Sequence, residues 1–440
     1  MTYNTAQNGF ALPYWHDHVS MPQLSQEALP ESVDCAIVGA GFTGLCVALH
    51  LLQAERSVVL LDAMPLGQGA SGKNGGMVGP SLHKLGLDGL KNIYGEDQAY
   101  AILQEGMHAI NYFQQFISAQ SLDCDLHMTG RFTGVHNQQQ LDELALKCEQ
   151  FERLDGFKYK LIEPHQVHQE IGSEHYYGGM VYHQDGGLHP YKLVTQLAQK
   201  VMQLGGQIFD QTEVLALSTS ADKHRLHSSK GQITAKQLVI ATNGYSKRFE
   251  LANQPHFKRR VIPLTSAMIA TEELPPATIN ELFPKARMHG GNHRLVQYYR
   301  PSPDGKRVLF GARGIDFWDR PSHNSANLKK LMTNIFPQLG DTKIDYSWCG
   351  KVAYTFDHGP HIGQLTSNQE NIYYAMGYCG SGVARSTYLA SRLAKQILGE
   401  TDFHTAFHDL PFNSRPFYNG KPWFMPLVLK WHGVLDRLGR

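Results

Sequence analysis

Gly39, Gly41 and Gly44 stand in G-x-G-x-x-G spacing, and Asp62 follows 18 residues after the last of them. Glycines so spaced let a chain turn tightly, let its backbone approach a diphosphate, and let the next helix pack closely on the strand before it. A carboxylate at that remove can hold ribose hydroxyls. The chemistry is recognition of a dinucleotide, with its phosphates at the free N–H groups and positive dipole end of a helix. A second glycine turn, Gly377-Tyr378-Cys379-Gly380-Ser381-Gly382-Val383, lies far along the chain and also runs into a helical stretch, Ala384 to Leu398. Between the two turns lie Tyr299, Arg313, Tyr354 and His358, the groups whose types suit a substrate pocket.

The elements that must position these groups are legible as periodicity. Cys35 to Val38 is an apolar run that reads as a buried strand. Leu45 to Gln53 places Leu45, Ala48, Leu49 and Leu52 on one helical face, and Val58 to Leu61 is a second strand that delivers Asp62. Strand, glycine turn, helix, second strand and terminal acid together define a βαβ dinucleotide unit, which a chance glycine turn does not. The unit alone leaves FAD and NAD open. Five of the ten residues from Gly67 to Gly76 are glycine, so no regular element is expected there. The loop follows the ribose-binding strand directly, which puts its backbone beside the cofactor.

Composition narrows the class. The chain has 440 residues, enough for two domains, with 42% hydrophobic and 18% charged residues. A net charge of +1 points to no nucleic-acid partner. The six cysteines are scattered without a C-x-x-C pair, and the 23 histidines form no H-E-x-x-H pattern, so reduced thiols in a cytoplasmic protein and no metal are expected. The N-terminal stretch lacks the basic and apolar regions of a signal peptide.

The pair GAGFTG…LLD and GASGKNGG resembles the FAD-dependent amine and amino-acid oxidoreductases of the D-amino-acid oxidase superfamily, most of all the gamma-glutamylputrescine oxidase group. Lys73 stands where that group usually carries arginine, which keeps the charge and loses the bidentate fork. The resemblance extends through GGMVYHQDGGLH at 178–189, the A-T-x-G turn at 241–244, RVLFGAR at 307–313 and the W-x-G…Y-T-x-D-x-x-P block from Trp348. It implies non-covalent FAD held by Gly39, Gly41, Phe42, Thr43, Gly44, Asp62, Ala63, Ser71, Lys73, Asn74, Gly75, Gly76, Val214, Thr242, Asn243, Gly380, Ser381, Gly382 and Val383. The helix after Gly382 would point at the flavin pyrimidine edge and favour the anionic reduced ring. In relatives with covalent flavin the linking cysteine aligns near Val352, three residues beyond Cys349. In relatives similar to sarcosine oxidase, a lysine that promotes reaction with oxygen falls at Leu309.

The expected architecture is α/β. A Rossmann-like FAD domain with a parallel sheet (33–95, 190–258 and 346–400) interleaves with an antiparallel-sheet substrate domain (96–189 and 259–345). An N-terminal arm (1–32) lies on the surface, where Tyr14 and Trp15 pin it or touch a partner, and a C-terminal tail helix (401–440) docks on the protein, with an interfacial membrane helix as the less favoured alternative. The expected reaction is oxidation of the C–N bond of an amine or amino acid by hydride transfer to flavin, followed by hydrolysis of the imine. Oxygen or a quinone accepts the electrons; the alternative is a dehydrogenase for a cyclic imino acid such as pipecolate that reduces a quinone. Tyr299, Arg313, Tyr354 and His358 are the pocket candidates, and Arg313 reads equally as a surface arginine beside cross-strand aromatics. An arginine is needed only for a substrate that carries a carboxylate. The purified protein is expected to be yellow; a colourless preparation that takes up no added FAD would refute this reading.

Overall fold

The structure is a computed structural model that describes residues 13–220, 223–248, 256–291, 296–313, 321–365, 371–425 and 428. Five parallel strands build the first sheet: β1 (Ser32–Val38), β2 (Val58–Leu61), β3 (Gln207–Phe209), β4 (Gly231–Ile240) and β5 (Ile372–Met376). Their order across the sheet is β3-β2-β1-β4-β5. The chain leaves β1 in one direction to β2 and β3, then returns on its other side as β4. This reversal opens a crevice at the carboxyl ends of β1 and β4, where such sheets bind ligands. Strand His361–Gln364 pairs antiparallel on the outer edge of β5, and the hairpin 214–228 pairs with the first half of β4.

β1 is apolar throughout because both faces are covered. Cys35 and Ile37 enter the helix-side core, while Ala36 and Val38 enter a second core with Phe209, Leu226 and Phe257. The helix side holds α1 (Phe42–Gln53), α3 (Glu96–Ala119), α4 (Pro190–Gln203) and α5 (Gly382–Leu398); α2 is the single turn Ala70–Lys73. α1 packs on α4 and α5, and α5 packs on α3.

The second sheet has eight strands. In order across the sheet they are Ile344–Tyr354, Ile262–Thr271, Val308–Arg313, Gln297–Pro301, Met288–Gly291, Arg131–Val135, Gly178–Tyr182 and Tyr159–Ile162. All pairs are antiparallel except Met288–Gly291 with Arg131–Val135. That one parallel pair joins the two chain segments that contribute to the sheet. Paired residues share a face. One face carries Ala267, Ile269, Phe310 and Tyr299, and packs with Leu328 and Met332 of helix Pro321–Ile335.

Several expectations change. The glycine loop contains a helical turn, α2, because its glycines bracket Ala70-Ser71 and let Gly72 pack against the Gly67 carbonyl. The stripe Ala99, Leu103, Met107, Ile110 and Phe113 of α3, expected with the substrate sheet, is buried in the core it shares with α1 and α5. The boundary expected at 346 falls inside strand Ile344–Tyr354 of the second sheet. The arm is pinned as expected at Trp15, fully buried against Trp348 and His189. Of the tail expected as a helix over 401–440, residues 401–424 carry turns and no helix, and 426, 427 and 429–440 lie outside the described residues. Among the described residues, no helix is long and apolar enough to cross a membrane.

His289 is fully buried on strand Met288–Gly291. Its ring is stacked on Tyr299 at 5.5 Å, and neither ring nitrogen has a hydrogen-bond partner. Burial, then the charge of Arg287, lowers its pKa to about 3. The unfolded chain therefore takes up this proton first. The stability that the neutral ring permits is complete above the ordinary histidine pKa and is lost as pH falls from about 6.5 toward 3. His289→Leu is expected to raise the unfolding free energy by roughly 1–3 kcal/mol at neutral pH and to flatten that acid slope, as read by urea melts across pH.

Candidate active site

The first glycine turn is built by close contact. Gly39 has φ +107°, and a Cβ there would stand 2.7 Å from the Ala241 carbonyl at the end of β4. A Cβ on Gly44 would stand 1.9 Å from the Gly39 carbonyl, so only glycine lets α1 start so near β1. Asp62, half-buried at the end of β2, accepts the Ala40 N–H at 2.8 Å and the Met64 N–H at 2.9 Å. Burial raises its carboxyl above the ordinary range against the pull of those two N–H groups. Ala63 follows it, exposed. The Thr212 N–H donates to the Asp62 carbonyl, which brings the segment leading to Val214 beside the ribose position. The Phe42 N–H, at the start of α1, donates to the Ser71 hydroxyl of the glycine loop at 2.9 Å.

The second turn closes on the first. The Thr43 hydroxyl on the first turn of α1 lies 2.8 Å from the Tyr378 hydroxyl. Asn243, at φ +43° after β4, accepts the Gly377 N–H through its side chain at 2.9 Å. Thr242, beside it, pairs its hydroxyl with Ser246. Cys379 and Gly380 continue with positive φ, and Ser381 leads into α5 through Gly382 and Val383 without a side-chain cap. The N-termini of α1 and α5 thus converge with neither N-cap residue capping through its own side chain. Cys379 is buried, which pushes its thiol up to about 11, and it contacts Thr355 and the Gly377 carbonyl. Cys349 receives the Asn324 amide from the helix side of the second sheet.

The loop between the turns is held as a unit. Asn74 donates to the Ala70 and Ser71 carbonyls and accepts the Gly76 N–H at 2.8 Å. The Lys73 carbonyl accepts the Trp348 indole N–H at 2.9 Å. The Gly76 carbonyl accepts the buried Arg300 guanidinium at 2.7 Å, which also bonds the Leu188 carbonyl. Burial lowers the Arg300 pKa to about 10. A Cβ on Gly75 would stand 2.7 Å from the Tyr298 ring, so the loop rests directly on the second sheet.

Ladder register shows which sheet residues meet the loop. Met268, Gly311, Trp348 and Tyr298 share a face, as do Ser266, Gly350 and the backbone of Arg313, then Leu264 with Val352, then Ile262 with Tyr354. Leu264, Ser266, Tyr298, Val352 and Tyr354 on this face are only partly buried and form a strip open to solvent, the floor of the candidate trough. The Tyr298 hydroxyl pairs with Ser266 at 2.9 Å. Tyr354 lies on the floor, with His358 edge-on to it at 6.1 Å between ring centroids. His358, at φ +59°, has a buried Nδ1 without a partner, and burial lowers its pKa. Tyr299 points the other way. It is fully buried, bonds the Tyr176 hydroxyl at 2.8 Å and stacks on Phe310. Sequence reasoning chose Tyr299 and missed Tyr298 because strand parity, which sends neighbours to opposite faces, needs a register it did not have. The Arg313 side chain lies outside the described residues.

A diphosphate suits the glycine turns that start α1 and α5, and a ribose suits Asp62; the residues present fit FAD. The fold and site are those of a two-sheet flavin oxidoreductase. The family model for "FAD dependent oxidoreductase" (DAO) matches residues 34–396, and this chain belongs to that family and is FAD-dependent. It is 32% identical over 425 residues to the gamma-glutamylputrescine oxidoreductase of Escherichia coli (strain K12), which covers 94% of this chain and 95% of that protein. In fold it is similar to the glycine oxidase of Geobacillus kaustophilus, with TM-score 0.73, 20% identity and 88% and 99% of the two chains covered. It is also similar to the L-proline dehydrogenase of P. horikoshii, with TM-score 0.71, 17% identity and 91% and 99% covered.

Gly44→Ala is expected to yield folded, colourless protein, because its methyl group must displace the Gly39 carbonyl and the turn with it. FAD affinity should fall by about a hundredfold or more on the scale of a lost positioned diphosphate contact; a variant that binds FAD as tightly as the parent removes the turn from the cofactor site.

Proposed function

We propose that this chain oxidises the C–N bond of an amine of the gamma-glutamylputrescine kind. The observation that carries the reading is the trough floor of Leu264, Ser266, Tyr298, Val352 and Tyr354, which runs out from beneath the glycine loop at Gly75. Likeness along nearly the whole chain to an oxidoreductase named for gamma-glutamylputrescine supports this substrate class. When bound, FAD supplies the hydride acceptor for the reacting carbon.

The protein's part is to bind the amine neutral and hold it in place. Leu264 and Val352 strip water from the amine nitrogen, which lowers its pKa and frees the lone pair without a dedicated base. The hydroxyls of Tyr298 and Ser266 orient the nitrogen, and Tyr354 packs on the carbon stem with His358 behind it. The electron pair of the reacting C–H would pass as hydride to bound FAD, and the primary imine so formed takes up water to give an aldehyde and ammonia. The six cysteines are free, and we place the reaction in the cytoplasm.

A second reading concerns the oxidant. Leu309 is fully buried in an apolar cluster with Trp15, Trp348 and Met268. That setting puts no cation where relatives similar to sarcosine oxidase carry the oxygen-activating lysine, and it supports an acceptor such as a quinone, with cyclic imino acids such as pipecolate among the substrates.

Anaerobic mixing of the holoenzyme with gamma-glutamylputrescine, putrescine, glycine, proline and pipecolate tests both readings. Gamma-glutamylputrescine should bleach the visible flavin band fastest, and Tyr298→Phe should slow that bleaching about tenfold, the scale of one hydrogen bond to a positioned group. Bleaching by none of the five ends the amine reading. Return of colour with a quinone analogue but not in air selects the second acceptor.

A further inference from the structure

Beyond residue 396, where the family match ends, residues 397–425 stay against the catalytic domain. The chain runs back to the open end of the trough. The Tyr418 hydroxyl donates to the Val261 carbonyl at 2.8 Å, and its ring meets Phe356 edge-on at 5.4 Å. Ile262, Tyr418 and Met425 are buried as one cluster, and Leu264, Tyr354 and Phe424 pack around it. Leu264 and Tyr354 are floor residues, so the added segment stands where the floor reaches solvent. Trp423 is next to Phe424 in sequence yet remains 66% exposed. At the rim, the exposed Arg415 holds its guanidinium 5.8 Å from the Phe356 ring.

We propose that Arg415, Tyr418 and Phe424 form the outer wall of the substrate site, with Phe424 and Arg415 setting its specificity. The wall takes an amine whose unbranched aliphatic stem lies along Leu264, Tyr354 and Phe424 and ends in an anionic head at Arg415. This rests on the amine reading above and adds what that reading lacks: which residues measure the stem and which charge meets its end. The shared fold supplies a floor and a flavin, and a compact amino acid needs no more than that. A long stem gains from each methylene it takes out of water, roughly fourfold in affinity apiece, only where an apolar wall stands opposite the floor. The carboxylate then needs a cation at the end of the stem, not beside the reacting carbon, and a guanidinium braced on an aromatic ring meets it.

The test is anaerobic flavin reduction in the parent holoenzyme and in Phe424→Ala, Trp423→Ala and Arg415→Gln, with putrescine and its homologues acylated by glutamate or by acetate. In the parent, kcat/KM should rise with stem length and with the carboxylated head. Phe424→Ala should cut the long-to-short ratio about tenfold through KM, with the limiting rate of flavin reduction held. Arg415→Gln should erase the preference for glutamate over acetate and leave the stem dependence. Trp423→Ala should change neither. Stem dependence unaltered in Phe424→Ala, or lowered as much in Trp423→Ala, overturns the wall even though amines still bleach the flavin. Failure of every amine to bleach the parent removes the underlying reading and the wall with it.

Discussion

Two helix N-termini point at one crevice, and the rest of the molecule is arranged so that they can. Neither N-cap residue caps its helix through its own side chain, and each helix start carries a partial positive charge. Bringing two such ends together is unfavourable unless an anion and a polarisable ring are to lie between them. The pairing is nevertheless held tightly, by the Thr43–Tyr378 hydroxyl contact and by the Asn243 carbonyl on the Gly377 N–H. Strand order supplies the crevice, since the chain reverses its direction of travel across the sheet between β1 and β4. Glycine supplies the approach, since at Gly39 and Gly44 a methyl group would meet a carbonyl oxygen.

The second constraint is the glycine loop, which has little apolar surface of its own to hold it down. Arg300 and Trp348 of the second sheet hold it by its carbonyls. A buried guanidinium is costly unless its N–H groups are satisfied. Here they are spent on backbone oxygens at Gly76, Leu188 and Pro301, which fixes the loop relative to the strand that carries the arginine. The sheet that carries Arg300 and Tyr298 thereby also sets the height of the loop above it.

Division of labour follows from this geometry. The dinucleotide half is specified by backbone groups, and few side chains can vary there without a clash. The floor is specified by side chains of one sheet face, where Leu264, Ser266 and Val352 can change without disturbing the ladder beneath them.

The sequence alone determined the dinucleotide half. Glycine spacing, the acid at Asp62, the apolar runs of β1, β2 and β4 and the stripes of α1, α3, α4 and α5 are local signals, because a turn, a strand and a helix each write their own period into the chain. It also showed a second glycine turn at Gly377 ahead of a helix, which the structure brings against the first. It did not determine which residues face the substrate. Tyr298 and Tyr299 are adjacent and alike, and only the register of Gln297–Pro301 against Val308–Arg313 sends one to the trough and the other to the core. The packing of α3 beside α5, the helical turn within the glycine loop and the seating of Tyr418 on Val261 were likewise decided by tertiary structure. Each depends on contacts between residues far apart in the chain, and no local period records them.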